Sequence, residues 1–145
     1  MHAKATYDDA RLILELYEAR REDRMRKARA WFVASFKPKT LSDLKALCPP
    51  GSDENASYRM VVTYWEMVAS FVTSGVLHKE LFFQSGRELL FVWERIRDLV
   101  PGVRETTKDA TTAAGIEAVA RDFIAWWETR SPGAYAAFST RVRGE

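Results

Sequence analysis

Three polar side chains share one face of an otherwise apolar stretch, and they are the best candidates for chemistry in this sequence. At about 100° per residue, Arg59, Thr63 and Glu66 lie on a narrow arc of a helix, and Tyr64 and Trp65 flank that arc. A guanidinium, a hydroxyl and a carboxylate at this spacing can orient a small ligand beside aromatic rings. The sequence therefore offers a candidate ligand-binding stripe made of these five residues.

Two structural interpretations of the stripe stay open beside the ligand site. The stripe can be the solvated edge of its helix. It can instead be an ion-paired seam, because Arg21 and Arg24 share the phase of the first helix's apolar face and could meet Glu66. A buried carboxylate without such a partner is costly. We favour the solvated edge, then the ion pair, and only then the ligand pocket.

The sequence offers little for catalysis. Its histidines are His2, near the N-terminus, and His78, in a predicted connector, so a Cys/His or Ser/His/Asp site is not expected. It has no Cys or His cluster for zinc and no glycine-rich phosphate-binding motif. Cys48, beside two prolines, is interpreted as a packing residue. We expect a protein that is not an enzyme and that uses no metal and no cofactor.

Composition and hydropathy predict one soluble domain over residues 1–145 in the cytoplasm. The net charge of +2 is too small to attract the chain strongly to nucleic acid or to an anionic membrane. The longest apolar stretch, residues 60–72, contains Glu66 and is shorter than the ~20 residues of a membrane span. The N-terminus lacks the apolar core of a signal peptide. A single cysteine fits a reducing compartment.

A basic run at residues 20–29 is the feature that nucleic-acid binding would use. Its basic side chains scatter around most of a helix, and Glu22 and Asp23 dilute them. A solvated helix surface is the better interpretation, and nucleic-acid binding is kept as a weaker alternative. The basic residues of this run are Arg20, Arg21, Arg24, Arg26, Lys27 and Arg29.

Helical periodicity dominates the chain and predicts an all-α fold. The range Tyr7–Phe36 keeps one apolar phase through its charged run, so we predict one long helix there rather than two. Thr40 and Asp43 form a capping box that begins a short helix. Residues 54–74 would be apolar over most of the circumference of a helix, and they predict a central helix that ends at Gly75.

Stop and start signals divide the C-terminal half. Ser85 and Glu88 have the spacing of a capping box, and the helix that they begin should end at Pro101. The polar residues 103–112 are expected to be mobile.

Two further helices complete the prediction. One covers residues 113–129, and Ser131 followed by Pro132 should begin the last. The sequence thus predicts a single-domain bundle of five or six mostly antiparallel helices around the central helix. We expect residues 1–6 and 141–145 to fray.

Several local patterns together resemble an uncharacterised bacterial helical family, domain of unknown function 4760. Tyr64, Trp65, Glu66 and Gly75 carry the resemblance best, and it covers the range Leu12–Pro101. The resemblance implies a helical bacterial protein and implies no catalytic activity. The patterns are LILELYEARRE, KARAWFVASF, PPGS, YRMVVTYWEMVASFVTSGVL, ELFF and LLFVWERI.

For function, the sequence favours a non-enzymatic interaction or regulatory module that self-associates or binds a protein partner. The reason is a surplus of large apolar side chains over what a small core can hide, notably Phe82, Phe83, Trp126 and Trp127. A small-ligand-binding bundle that uses the Arg59 stripe is the alternative.

Overall fold

The computed structural model describes residues 3–145, and in this part of the chain the regular secondary structure is entirely helical, with no strand. His2 lies outside the described residues. The all-α prediction is confirmed, with more and shorter helices than the five or six expected. The nine helices of the described range are α1 (Tyr7–Ala19), α2 (Asp23–Ser35), α3 (Leu41–Leu47), α4 (Asp53–Thr73), α5 (Lys79–Phe83), α6 (Arg87–Ile96), α7 (Val100–Thr107), α8 (Ala114–Arg130) and α9 (Ala134–Arg143).

Helix α4 forms where the apolar stretch at 54–74 predicts it. The Ser52 hydroxyl begins α4 by accepting a hydrogen bond of 3.1 Å from the backbone N–H of Asn55. Gly75, at φ 81°, follows its last turn. Buried side chains of α4 pack against α2, α6 and α8 in one continuous hydrophobic core. Between residues 3 and 145, no helix combines the length and the hydrophobicity needed to cross a bilayer.

The prediction of one helix over Tyr7–Phe36 is wrong, because the chain breaks between α1 and α2. The Glu22 carboxylate begins α2 by accepting two hydrogen bonds, each 3.0 Å, from backbone N–H groups of its first turn. The Arg29 guanidinium donates to the backbone carbonyl of Arg20 at 3.0 Å and so satisfies a carbonyl beyond the end of α1. The charged run therefore contains the start of α2. The apolar periodicity continues across this start, so periodicity alone does not reveal it.

The capping box predicted for Ser85 and Glu88 is also wrong. Gly86 is the residue before α6, and the Glu88 carboxylate faces the core instead of the helix start. It accepts two hydrogen bonds from the Arg29 guanidinium, at 2.6 and 2.8 Å, and one of 3.2 Å from the indole N–H of Trp65. A bidentate charged partner binds a carboxylate more strongly than a single backbone N–H does.

Pro101 begins a helix rather than ending one. It lies in the first turn of α7, where a helix does not use the N–H that proline lacks. Part of the segment 103–112, predicted to be mobile, is therefore helical. Helix α7 ends at Lys108, which adopts a left-handed conformation at φ 58°.

The start of the last helix is displaced from its predicted position. The backbone N–H of Ser131 donates to the carbonyl of Trp127 at 2.9 Å, so Ser131 ends α8 and does not begin α9. Gly133 precedes α9 at φ 87°, a conformation that glycine adopts without steric cost. Helix α9 then continues through Arg143.

A buried carboxylate fixes α9 to the rest of the fold. The side chain of Glu94 is fully buried and accepts hydrogen bonds of 2.5 Å from the hydroxyls of Tyr135 and Ser139. The guanidinium of Arg97 lies 3.7 Å from the same carboxylate. Burial, together with the hydrogen bond to Glu94, raises the pKa of Tyr135 to about 12, so this hydroxyl keeps its proton and donates.

The large aromatic side chains that suggested self-association are packed inside the chain. Phe82, Phe83 and Trp127 are buried, and Trp126 is half-buried against Phe83 and Phe123. The surplus of apolar surface expected at these positions is therefore used within the fold, and it gives no reason to expect a second copy.

Candidate functional site

The polar stripe of α4 is not assembled into one site. Arg59 and Thr63 are exposed, and the Thr63 hydroxyl donates to the backbone carbonyl of Arg59 at 2.6 Å, within the same helix. Glu66 is half-buried and faces α8. Tyr64 and Trp65 face the opposite way, towards α1. Of the five candidate ligand-binding residues, only these two aromatic residues lie at a cavity.

Glu66 supplies the N-terminal cap that α8 lacks. Its two carboxylate oxygens accept hydrogen bonds of 2.9 Å from the backbone N–H groups of Gly115 and Ile116. Ala113, the residue before α8, adopts φ 55° and provides no side-chain cap. A carboxylate at a helix N-terminus satisfies free N–H groups and is favoured by the helix dipole. Glu66 therefore joins α4 to α8 as a structural clamp.

The ion pair between Glu66 and the first helix, which the sequence left open as an alternative, is not observed. Arg21 instead pairs with Glu18 one turn earlier, at 3.4 Å on the surface. Arg24 donates to the hydroxyl of Ser57 on α4, at 3.2 Å. Neither guanidinium contacts Glu66, whose two carboxylate oxygens are bound by the first turn of α8.

A cavity of about 260 Å³ lies between α1 on one side and α4 with the α5–α6 connection on the other. Its wall is almost entirely apolar. Leu14 is 64% exposed and Tyr17 is 46% exposed, so the cavity opens to solvent along this edge. The lining residues are Ile13, Leu14, Leu16, Tyr17, Arg20, Tyr64, Trp65, Val68, Phe82, Ser85 and Gly86.

Arg20 is the charged residue of the lining. Its guanidinium carbon lies 4.9 Å from the ring centre of Tyr17 and 5.5 Å from that of Trp65. Both distances are within the range of a cation–π interaction. The ring of Trp65 is fixed in turn, because its indole N–H donates to Glu88 and the ring forms a T-shaped pair with Tyr64, with ring centres 5.0 Å apart. The mouth of the cavity thus carries a positive group held by two aromatic rings.

Helix α1, the outer wall of the cavity, combines half-buried apolar packing against the core with polar contacts near both of its ends. The Asp9 carboxylate is buried and accepts hydrogen bonds of 2.8 Å from the backbone N–H groups of Thr6 and His78. These two bonds, that of Thr6 first, lower the pKa of Asp9. Near the other end of α1, the Tyr64 hydroxyl donates to the backbone carbonyl of Leu16. Burial raises the pKa of Tyr64 to about 12, so the donor keeps its proton at neutral pH.

The residues with catalytic potential do not converge on the cavity. His78 accepts a hydrogen bond of 3.1 Å at Nδ1 from the backbone N–H of Leu81, and its Nε2 lies 2.7 Å from the carbonyl of Ala3. This arrangement places the proton of a neutral ring on Nε2. Burial raises the pKa of the Cys48 thiol, the opposite of what activates a nucleophile. Residues 3–145 contain no cluster of His, Cys, Asp and Glu suited to a metal ion.

The sequence identifies some of the residues that line the cavity and gives no signal for others. Tyr64 and Trp65 are among its candidate residues, but Leu14 and Tyr17 read as ordinary members of an apolar helix face. A signal for Arg20 is present, because it follows Tyr17 by three residues and so lies on the same face at the helix end. The cavity itself depends on the distance between α1 and α4, which no local pattern contains.

Comparison with known proteins yields one match. A family model described as a domain of unknown function (DUF4760) matches residues 5–126, which includes every lining residue of the cavity. This range is longer than the range Leu12–Pro101 over which the sequence resemblance was seen. No match is found among curated proteins or among solved structures.

Proposed function

The chain belongs to the DUF4760 family, and from that premise we propose that it is a non-enzymatic module that binds a small apolar molecule in the cavity beneath α1. The observation that supports the proposal is the cavity itself: about 260 Å³, an apolar wall, and an opening to solvent at Leu14 and Tyr17. Binding pockets are concave and mostly apolar, with a few polar groups that orient the ligand.

The size of the cavity limits the ligand. An engineered apolar cavity of about 150 Å³ holds benzene, so the volume here corresponds to roughly ten non-hydrogen atoms. The proposal therefore excludes nucleotides and long-chain lipids as complete occupants. We further infer a bacterial protein, on the family resemblance, and a cytoplasmic one, on the single cysteine.

The direct test is an NMR titration of the protein with octan-1-ol, an apolar molecule of about this size. We expect saturable shifts at Tyr17 and at the indole of Trp65. Ile13→Trp should abolish them, because a larger side chain on the half-buried Ile13 fills the cavity. Val33→Trp is the matched control, since Val33 is an exposed residue of α2 outside the lining. Absence of saturable shifts in the unmodified protein would refute the proposal.

A series of alcohols sharpens the same test. Each methylene that enters the cavity should raise affinity about fourfold, since burial of one CH₂ contributes about 0.8 kcal/mol. The gain should stop at the chain length that fills the cavity. A constant gain through dodecan-1-ol would indicate binding to an open surface instead.

Protein association along α1 is the second candidate function. Tyr7 is 89% exposed, and with Leu14 and Tyr17 it forms an apolar edge on the outer side of the chain. Such an edge suits a protein partner or a second copy. Light scattering over a range of protein concentrations tests self-association, and Tyr7→Ser should weaken any dimer that is found.

Nucleic-acid binding through residues 20–29 has less support than either candidate. Arg26 pairs with Asp23 at 2.7 Å, and Arg29 pairs with Glu88 at 2.6 Å. These carboxylates neutralise charges that phosphate would otherwise use. Failure to bind heparin at low salt would dispose of this alternative.

A further inference from the structure

We propose that the ligand of the α1 cavity is an apolar monocarboxylate whose carboxylate binds Arg20 while its tail fills the cavity. This inference rests on the proposed function and adds the chemical class of the ligand. Three observations support it: Arg20 lies at the cavity, its guanidinium has no anionic partner among the described residues, and the rest of the lining is almost entirely apolar and without acidic side chains.

The guanidinium of Arg20 is held at the cavity by its two aromatic neighbours. The rings of Tyr17 and Trp65 lie 4.9 and 5.5 Å from its central carbon. Rings contact a guanidinium through its faces and leave the N–H groups at its edge free to donate. The backbone carbonyl of Arg20 is itself fixed by Arg29 at 3.0 Å, so the start of the side chain is anchored as well.

The charge of Arg20 is not neutralised within the fold. Three neighbouring carboxylates have other partners: Glu18 pairs with Arg21, Glu22 accepts from backbone N–H groups of α2, and Glu88 pairs with Arg29. Among the described residues, no side chain or carbonyl accepts a hydrogen bond or ion pair from the Arg20 guanidinium. A half-buried arginine beside an apolar wall gains more from an anion than an arginine surrounded by water does.

The other lining residues restrict the ligand to a single anionic group. The lining contains no acidic side chain, and Arg20 is its one cation. Ser85, an exposed residue of the lining, adds a neutral hydroxyl and no charge. Arginine binds a carboxylate through two parallel hydrogen bonds. The remaining wall offers only apolar contacts, which suit an aliphatic or aromatic tail.

The experiment compares three ligands with similar tails and different heads by calorimetry at neutral pH: octanoate, octan-1-ol and octylamine. Octanoate should bind about tenfold more tightly than octan-1-ol, because a hydrogen-bonded charge pair strengthens binding by that order. Octylamine should bind most weakly. Arg20→Gln should remove the preference for octanoate while octan-1-ol binds as before, which also shows that the variant is folded. Arg26→Gln is the matched control, since Arg26 lies in the same basic run, pairs with Asp23 and is outside the lining.

The possible results separate the two proposals. Equal affinities for octanoate and octan-1-ol in the unmodified protein would overturn the carboxylate inference and leave the ligand-binding function standing. Persistence of the tenfold preference in Arg20→Gln would overturn the role of Arg20. Absence of binding by all three ligands would overturn the proposed function itself.

Discussion

The two sides of α4 are built in opposite ways. Towards α8, Ala69 and Gly115 are small, and a Cβ added to Gly115 would lie 3.3 Å from that of Ala69. The helices therefore approach closely, and Glu66 fixes the first turn of α8. Towards α1, the large residues Tyr64 and Trp65 keep the helices apart, and a cavity remains between them.

The difference shows how one helix can serve stability on one side and binding on the other. Close packing with a satisfied cap leaves no space for a ligand, and it makes α8 part of the cooperative core. Helix α1 has one buried residue, Asp9, and is attached by hydrogen bonds near its ends. A helix with few buried apolar contacts separates from the rest of the fold at a low free energy. A ligand that enters the cavity past α1 requires such a separation.

The largest expected effect is on stability, and it is measured by replacing one isoleucine with alanine on each side of α4. Ile116→Ala should lower the free energy of unfolding by about 2–5 kcal/mol, because Ile116 is fully buried and its loss leaves a cavity. Ile13→Ala on α1 should lower it by only about 1 kcal/mol, since Ile13 is half-buried and already lines a cavity. Urea denaturation measures both values. Equal losses would show that α1 belongs to the core as much as α8 does.

The clamp at Glu66 should have the next largest effect. Glu66→Ala leaves the N–H groups of Gly115 and Ile116 without acceptors, and we expect a loss of about 1–3 kcal/mol. Glu66→Gln keeps one acceptor oxygen, so it should lower the free energy of unfolding less than Glu66→Ala does. Arg59→Ala, on the exposed part of the same stripe, serves as the control and should stay within about 0.5 kcal/mol. If the Arg59 and Glu66 variants behave alike, Glu66 is not a clamp.

On the α1 side, acid should release the helix before the core unfolds. The pKa of Asp9 is lowered from its ordinary value of 3.8, so its contribution is complete above that value and is lost as pH falls through the lower folded value. The imidazole of His78 is the titratable group beside it. An NMR pH titration of the α1 amides should show this local transition, and Asp9→Asn should release α1 at neutral pH. Simultaneous loss of α1 and α8 would contradict the distinction between the two sides.

The smallest expected effect is at Ser85, at the mouth of the cavity. Ser85→Ala should change stability by less than about 0.5 kcal/mol, because Gly86 and not Ser85 precedes α6. Thr40→Ala is the comparison, and it should cost about 1 kcal/mol because Thr40 caps α3 at 3.0 Å. If Ser85→Ala lowers stability as much as Thr40→Ala does, the Ser85 hydroxyl makes a stabilising hydrogen bond on the α1 side that the structure does not show. Thermal denaturation resolves the two cases.

Local signals in the sequence were sufficient for some of the helix starts, although they missed the local cap that Glu22 provides for α2. The capping box of Thr40 forms as predicted, and α4 occupies the stretch whose apolar pattern predicts it. Two of the predictions that failed concern side chains with a stronger partner elsewhere in the fold. Glu66 turned to α8, and Glu88 turned to Arg29 and Trp65.

The sequence by itself determined that this chain is helical, which stretch forms its longest helix, and that Tyr64 and Trp65 are candidates for binding. These properties follow from periodicity and capping, which act over a few residues. The tertiary structure alone decided that α1 stands apart from α4 over a cavity and that Arg20 meets Trp65 at its mouth. Those facts depend on how far apart two helices pack, and side-chain size at contacts distant in the chain sets that distance.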